Sequence, residues 1–354
     1  MIWTREQAKA LVDRTLALSK AEHTTVAIDG SERASVRFAR NSVSTAGATA
    51  DVGLAITARF GKRSGTVTTA RFDDASLQTA LRNAEEIAKA SPENPEAMPL
   101  LGPQQYASSS AYFDDTASAT PDWRASSVAT AIDLAKKKDV VTAGFVETQA
   151  AIRTVANSAG LFAYDKYTAA AYNLTARLPD GSGSGWASRA YNQLSLLRPD
   201  VLAETAISKA ATARNPTGIE PGVYTVVLEP AAVADMVAYM FFSAAARQAD
   251  EGRSAFARRG GGNRIGDTIV GENVRIHTDP SHPLAPTMSF DGEGLPTEKR
   301  VWVEKGVLQN LMYTRFWAEK MGKAPTASPS NLIMDGGTET VSDLIAGTRR
   351  GLLV

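Results

Sequence analysis

The chain has no cysteine, only three histidines in 354 residues, and no excess of either charge, since 38 basic side chains meet 38 acidic ones. Without cysteine there is no disulfide, thiolate zinc site, iron–sulfur cluster or cysteine nucleophile in this chain. Redox chemistry would need a borrowed cofactor. The even charge argues against direct nucleic-acid binding, which calls for a basic surface, and a 44% hydrophobic fraction excludes an acidic solvating chain. Long apolar runs are lacking too. The most membrane-like stretch, 228–246, contains Glu229, Pro230 and Asp235, whereas a spanning helix needs about 20 residues almost free of charge. It reads as a buried helix of a protein with no membrane association. The opening Met1-Ile2-Trp3-Thr4-Arg5-Glu6 lacks the charged-then-apolar layout of a signal peptide, so the expected location is cytoplasmic.

What is present is an α+β pattern. Thr4 and Gln7 form a capping box ahead of Ala8, Leu11, Val12 and Thr15, predicting a helix to about Lys20. Strands are expected at 24–29, 34–39, 43–49, 52–60 and 65–69, with Gly61-Lys62 as a hairpin tip. Asp73 and Asp74 cap a second helix with the apolar line Leu77, Leu81, Ala84, Ile87 and Ala88. Residues 91–103 hold Pro92, Pro95, Pro99 and Pro103, which block helix and central strand alike and mark a linker.

A similar series follows. Thr120-Pro121 opens a helix carrying Val128, Ile132 and Ala135. Strands at 140–148, 151–156, 161–178 (read as two) and 185–191 come next, then a helix from Pro199 to about Arg214. This fits a weak duplication of one helix–sheet–helix unit and equally fits two unrelated α+β segments, because no residue-level repeat stands out. From Gly222 the pattern changes to a strand at 223–228, a long helix at 231–247, and strands at 274–277, 299–303, 307–313 and 332–334. A helix at 341–349 then precedes the apolar run Gly351-Leu352-Leu353-Val354. Such a run usually starts a buried strand, which predicts that the last domain is incomplete at Val354. At roughly 100–200 residues per domain the length points to two domains. The changes of pattern give an N-terminal α+β domain with linker over 1–103, a second α+β unit over 104–220 and a β-rich C-terminal domain over 221–354. The fold expected is α+β, with N-terminal antiparallel sheets flanked by helices and a mostly β C-terminal domain holding a buried helix.

Few segments carry chemistry. His277, Asp279 and His282 could offer a metal two imidazoles and a carboxylate, against the simpler reading of a proline-rich surface turn. Arg258-Arg259-Gly260-Gly261-Gly262 has the composition of a phosphate cradle without its strand and Lys-Ser/Thr context. Gly181-Ser182-Gly183-Ser184-Gly185 reads as a hairpin tip. Asp291-Gly292-Glu293-Gly294-Leu295-Pro296-Thr297 interleaves two acids with two glycines, so backbone can approach a ligand while carboxylates face the same space; a tight turn explains it equally well.

In order and spacing, several segments together resemble the TldD/PmbA family, the two-component metalloprotease system also described as a modulator of DNA gyrase. They are 36–41, Gly53-Leu54-Ala55 and the helix ending at 85–90; Asn157-Ser158-Ala159-Gly160; Val226-Val227-Leu228-Glu229-Pro230; Glu251-Gly252-Arg253-Ser254; the 290–297 segment; and Glu304-Lys305-Gly306-Val307-Leu308. The resemblance covers nearly the whole chain. It implies that the helix after Val226-Val227-Leu228-Glu229-Pro230 corresponds to one that, in the catalytic member, carries H-E-x-x-x-H, two zinc-binding histidines and a water-activating glutamate. Here residues 231–247 contain no histidine and no glutamate, and the third ligand of the active member, a cysteine, lies in a segment beyond this chain's end. The chain therefore resembles the PmbA (TldE) side.

The resemblance implies no catalytic, metal or cofactor-binding residue here. Zinc is expected only in a partner subunit bearing H-E-x-x-x-H, or else the chain associates with itself. Its implied role is to shape a peptide-binding chamber, with Tyr239, Phe242, Asp291, Gly292, Glu293, Gly294, Pro296 and Thr297 as substrate-binding candidates. Two other readings stand beside it: an active peptidase using Asp291 and Glu293 or His277 and His282, and a non-enzymatic peptide-binding scaffold.

Overall fold

The computed structural model describes residues 2–354, which divide into two compact units: the residues up to Pro216 with Ser281–Pro296, and Thr217–Pro280 with Thr297–Val354. The first unit begins with α1 (Arg5–Leu18), β1 (His23–Ala39), β2 (Ser42–Phe60), β3 (Arg63–Thr69) and α2 (Asp74–Ala90). It continues with the short α3 (Asp114–Ala117), α4 (Pro121–Lys137), β4 (Val141–Asn157), β5 (Phe162–Arg177), β6 (Ser184–Tyr191) and α5 (Pro199–Thr212). The six strands form one antiparallel sheet in the order β3-β2-β1-β4-β5-β6. Two helix–three strand–helix series thus meet at β1 and β4, each contributing its first strand to the centre.

The helix signals act where the sequence places them. Thr4 accepts from the Gln7 backbone N–H while the Gln7 side chain accepts from that of Thr4 (2.8 Å), and α1 buries Ala8, Leu11, Val12 and Thr15. Asp73 caps α2 and Thr120 caps α4, which has proline in its first turn. In α2 the buried line includes Ala80 and Glu85, while Ile87 is exposed; the Glu85 carboxylate accepts from the Lys20 backbone N–H (2.8 Å).

The strands differ from the sequence expectation in length. The breaks expected near Gly30–Arg33, at Ala50-Asp51 and at Gln149-Ala150 do not occur. Gly30 pairs with both Val52 and Ile152, and Glu32 with both Ala50 and Ala150, so β1 is bonded on both sides through that stretch. Backbone satisfied on both sides has no reason to turn. Residues 162–177 likewise form one strand. The hairpin tips are Arg40-Asn41, both at positive φ, and Gly61-Lys62.

Two cores cover this sheet. Leu11, Val12, Val26, Ile28, Leu54, Ile56, Leu77 and Leu81 join α1 and α2 to the first three strands. Phe38, Val128, Tyr172, Leu174, Leu202 and Ile207 are among those joining α4 and α5 to the rest. Each buried aliphatic side chain contributes about 1.5–3 kcal/mol. The equivalent outer strands carry glycines where a helix backbone comes close. A Cβ on Gly65 would lie 2.4 Å from the Ala84 carbonyl oxygen of α2, and one on Gly185 would lie 2.1 Å from the Ala206 carbonyl oxygen of α5.

The second unit contains β7 (Thr225–Val227), α6 (Pro230–Phe242), α7 (Ala246–Asp250), β8 (Ile276–Thr278), β9 (Arg300–Glu304), β10 (Val307–Leu308), α8 (Arg315–Met321), β11 (Ile333–Met334), α9 (Val341–Ala346) and β12 (Gly351–Leu353). Its strands form a four-stranded sheet, β10-β9-β8-β11, and a parallel pair, β7 with β12. The core gathers Phe241, Phe256, Ile276, Trp302, Leu311, Tyr313 and Trp317. The indole of Trp302 meets Phe241 edge-on at 5.3 Å and donates to the Thr278 hydroxyl (2.7 Å).

One correction falls on α6. The apolar helix expected to be buried is present, but Phe241 is its only buried residue. Hydropathy without a strong one-sided stripe does not say how many of a helix's faces are covered, and here Met236, Tyr239 and Phe242 remain outside.

The helix–strand approach is directly testable. Gly185→Ala should destabilise the first unit by ~1–3 kcal/mol, because α5 backbone rather than a flexible side chain must move; Gly181→Ala, where φ is +75° but the space is open, reports the conformational cost alone. Urea denaturation followed by far-UV circular dichroism measures both, and an unchanged midpoint for Gly185→Ala would refute the close-packing argument.

Candidate functional site

The turns that carry the family-like motifs occupy one end of the first unit. Asn157, 4% exposed, ends β4; its side-chain oxygen accepts from the N–H groups of Ala159 (2.9 Å) and Leu161 (3.3 Å), and its amide donates to the Leu101 carbonyl (2.9 Å). Asp291 repeats this geometry, its Oδ1 accepting from Glu293 (2.9 Å) and Leu295 (3.0 Å). The two turns meet. Phe290 packs with Val155, Leu161 and Ala163, and Gly294, at φ +85°, sits so close to Leu161 that a Cβ would lie 2.6 Å from that side chain.

Three polar ties hold the 281–296 segment against this end. Tyr106 donates its hydroxyl to the Gly294 carbonyl (2.7 Å), Ser109 donates to the Thr287 carbonyl (3.0 Å), and the Ser289 hydroxyl donates to the Asp165 carboxylate (2.8 Å), which also receives the Ser289 N–H. Burial, with the Asp291 and Asp165 carboxylates nearby, pushes the Tyr106 hydroxyl up to about 12, so it remains a donor at any ordinary pH. Burial also raises Asp165, against the lowering effect of the Ser289 hydrogen bonds.

Of the eight sequence candidates, Asp291, Gly292, Glu293, Gly294 and Pro296 therefore lie together on the first unit, with Gly292 and Glu293 exposed. Thr297 belongs to the second unit, as do Tyr239 and Phe242. The latter two are 74% and 76% exposed, with ring centroids 5.9 Å apart. With Met236 they stand at i, i+3 and i+6, one stripe of α6. Tyr106, Asp165 and Ser289 escaped the sequence reading. Strand parity places Asp165 on the inward face with Ala163, and a lone acid at an inward strand position was the signal that could have found it.

Zinc does not fit the residues of α6. Its one carboxylate is Asp235, which is exposed, and its other side chains are apolar except for Tyr239; stable zinc binding needs several nitrogen, sulfur or oxygen donors converging. Among the described residues, no group of three His, Cys, Asp or Glu side chains is placed to share a metal ion. His277 instead hydrogen-bonds Arg275 (3.1 Å) with Asp335 nearby, and the His282 ring accepts from the Leu284 N–H (3.3 Å). No helix among the described residues is long and apolar enough to cross a membrane.

An antiparallel sheet walled by paired helices, a second unit of short strands and helices, and interlocked Asx turns define a class of α+β protein with known members. Models of the PmbA/TldA metallopeptidase family match in chain order: domain 1 over residues 26–88, the central domain over 116–214 and the C-terminal domain over 221–354. The chain belongs to the PmbA/TldD metallopeptidase family. Over 100 residues it is 30% identical to a metalloprotease of Archaeoglobus fulgidus, a stretch that is 25% of this chain and 24% of that protein. It therefore spans about a quarter of the length of that curated relative. The fold matches the structure of a candidate modulator of a DNA gyrase from Thermotoga maritima (TM-score 0.87, 19% identity, 98% of this chain and 82% of the other). It also matches TldE from Thermococcus kodakarensis (TM-score 0.83, 21% identity, 98% and 81%).

The buried carboxylate gives a signed prediction. A raised Asp165 stabilises the fold fully only below the ordinary aspartate range, and that contribution is lost as pH rises to the folded-state value. Asp165→Asn, which can still accept from Ser289, should therefore melt above wild type at neutral pH, by about 2 °C or more, and lose this advantage on acidification below the ordinary aspartate value. Calorimetry across that range would reject the assignment if the difference were flat with pH.

Proposed function

We infer that this chain is a non-catalytic member of its family, a subunit that holds peptide for a zinc-bearing TldD-like partner. The observation that carries this reading is α6: where the family resemblance places a metal-binding helix, this chain presents an exposed stripe of Met236, Tyr239 and Phe242 and no set of ligands. An apolar stripe of that kind serves contact with another chain better than it serves hydrolysis.

The first unit adds a main-chain surface suited to an extended peptide. β3 pairs only with Leu54–Phe60 of β2, so the outer edge of residues 42–53 has no strand beside it among the described residues. Such an edge can take a further strand through backbone hydrogen bonds. On the first unit the turn at Asp291–Pro296 is a candidate side-chain contact for peptide, and on the second unit, taken by itself, the Tyr239–Phe242 pair is another. A hydrolytic role for Asp291 has less support, because its Oδ1 is engaged by two backbone N–H groups.

Zinc analysis and peptidase assays on the purified chain, alone and mixed with a family member bearing H-E-x-x-x-H, test this reading. The chain alone should hold no stoichiometric zinc and cleave no peptide, and it should co-purify with the partner. Stoichiometric zinc together with chelator-sensitive cleavage by the chain alone would overturn it.

A further inference from the structure

Beside the free edge of β2 lies a cleft of about 320 Å³, within the first unit and apart from the 281–296 turn. Its floor is a patch of mostly small side chains, with Glu32 at one place in it. Ala34 pairs with Ala48 on one side and Thr148 on the other, and Glu32 pairs with Ala50 and Ala150, so these six share one face of the sheet. The wall comes from Thr116, Ala117 and Ala119, and from Arg124 in the first turns of α4.

Arg124 is the unusual residue. It is only 6% exposed, and Nη1 donates to the Ala119 carbonyl (3.1 Å) and the Thr148 hydroxyl (2.9 Å). It forms no ion pair among the described residues, and Nε and Nη2 have no protein acceptor. Glu32 lines the same cleft. Burial pulls the guanidinium below its ordinary value without neutralising it. Its remaining N–H groups face the cleft rather than being sealed in the core, and a carboxylate or phosphate is the strongest partner for such an N–H fork.

We propose that this cleft is a carboxylate-binding site, in which Arg124 takes the terminal carboxylate of a short peptide and the alanine floor accepts a small last side chain. The cleft is too small for a long peptide, and a floor of Ala34, Ala48, Ala50 and Ala150 leaves room for one or two small residues. A free small carboxylic acid offers the same chemistry, and the two sources are separable by experiment. The proposal deepens the peptide-holding reading but stands apart from any metal or partner, because it concerns binding by the chain alone.

The test is calorimetric titration of the full chain with N-acetyl-Ala-Ala, with its C-terminal amide, and with acetate. The acid should bind at one site, the amide roughly tenfold or more weakly for want of the charge-assisted pair, and acetate more weakly than the acid; acetate binding as well as the dipeptide would assign the site to small free acids. Arg124→Gln should abolish the preference for acid over amide, and Arg124→Lys should restore it in part. Should Arg124→Gln fail to fold, Ala48→Leu fills the floor from an exposed position while leaving the Arg124 hydrogen bonds in place, and it should block binding equally. Equal affinity for acid and amide, no binding of any carboxylate, or binding unchanged in Ala48→Leu would overturn the proposal, whatever the zinc and partner experiments show.

Discussion

The first unit depends on the pairing of β1 with β4. These two strands come from different halves of the series, run antiparallel from Thr25–Asn157 to Phe38–Gly144, and carry a neighbouring strand on their other sides. Because both are bonded on both edges, they cannot turn or fray in the middle without leaving several buried backbone groups unpaired. All else is laid against that pair. One half buries Leu11, Leu77 and Leu81 onto it, the other Val128, Ile132 and Ile207. Gly65 and Gly185 then let α2 and α5 come close at the two outer strands.

The same constraint explains what could be read in advance. Helix starts were legible because they depend on nearest neighbours: Thr4 with Gln7, Asp73 with Ser76, Thr120 before Pro121. Strand lengths were not, because continuity through Gly30, Ala50 and Gln149 is decided by pairing with other strands rather than by adjacent residues. Local composition at those points resembles a turn. The first ten residues of β2 are all exposed and show no alternation of burial; the strand expected at 43–49 covers most of them, and what went unread was its continuation through Ala50-Asp51. The repeated order of elements was legible, and the sheet order shows how the two series are joined.

At the site, legibility followed chemistry that is visible in residue type. The acids and glycines of 291–294 stood out, and both the ligand reading and the turn reading were available; Asp291 Oδ1 is occupied by the turn itself. What could not be seen was that the Asn157 and Asp291 turns, some 130 residues apart, interlock through Leu161, Phe290 and Gly294. Nor was the exposure of α6 legible. Thirteen residues of mostly apolar side chain read as core, yet a helix is covered only where neighbours reach it, and here the core reaches Phe241 while Tyr239 and Phe242 meet edge-on outside.

That difference bears on which parts of this scaffold depend on α6. A zinc site needs its ligands converging within about 2 Å of one point, held by outer hydrogen bonds, and losing the ligand set removes hydrolysis altogether. The rest of the scaffold has no such dependence. The interlocked turns are held by Tyr106, Ser109 and Asp165 rather than by an ion, the β2 edge is held by β1, and the Arg124 cleft is built from α4 and the sheet floor. Because these surfaces rest on the β1–β4 pair and not on α6, the exposed Met236, Tyr239 and Phe242 set what that helix can touch without bearing on how the first unit is built.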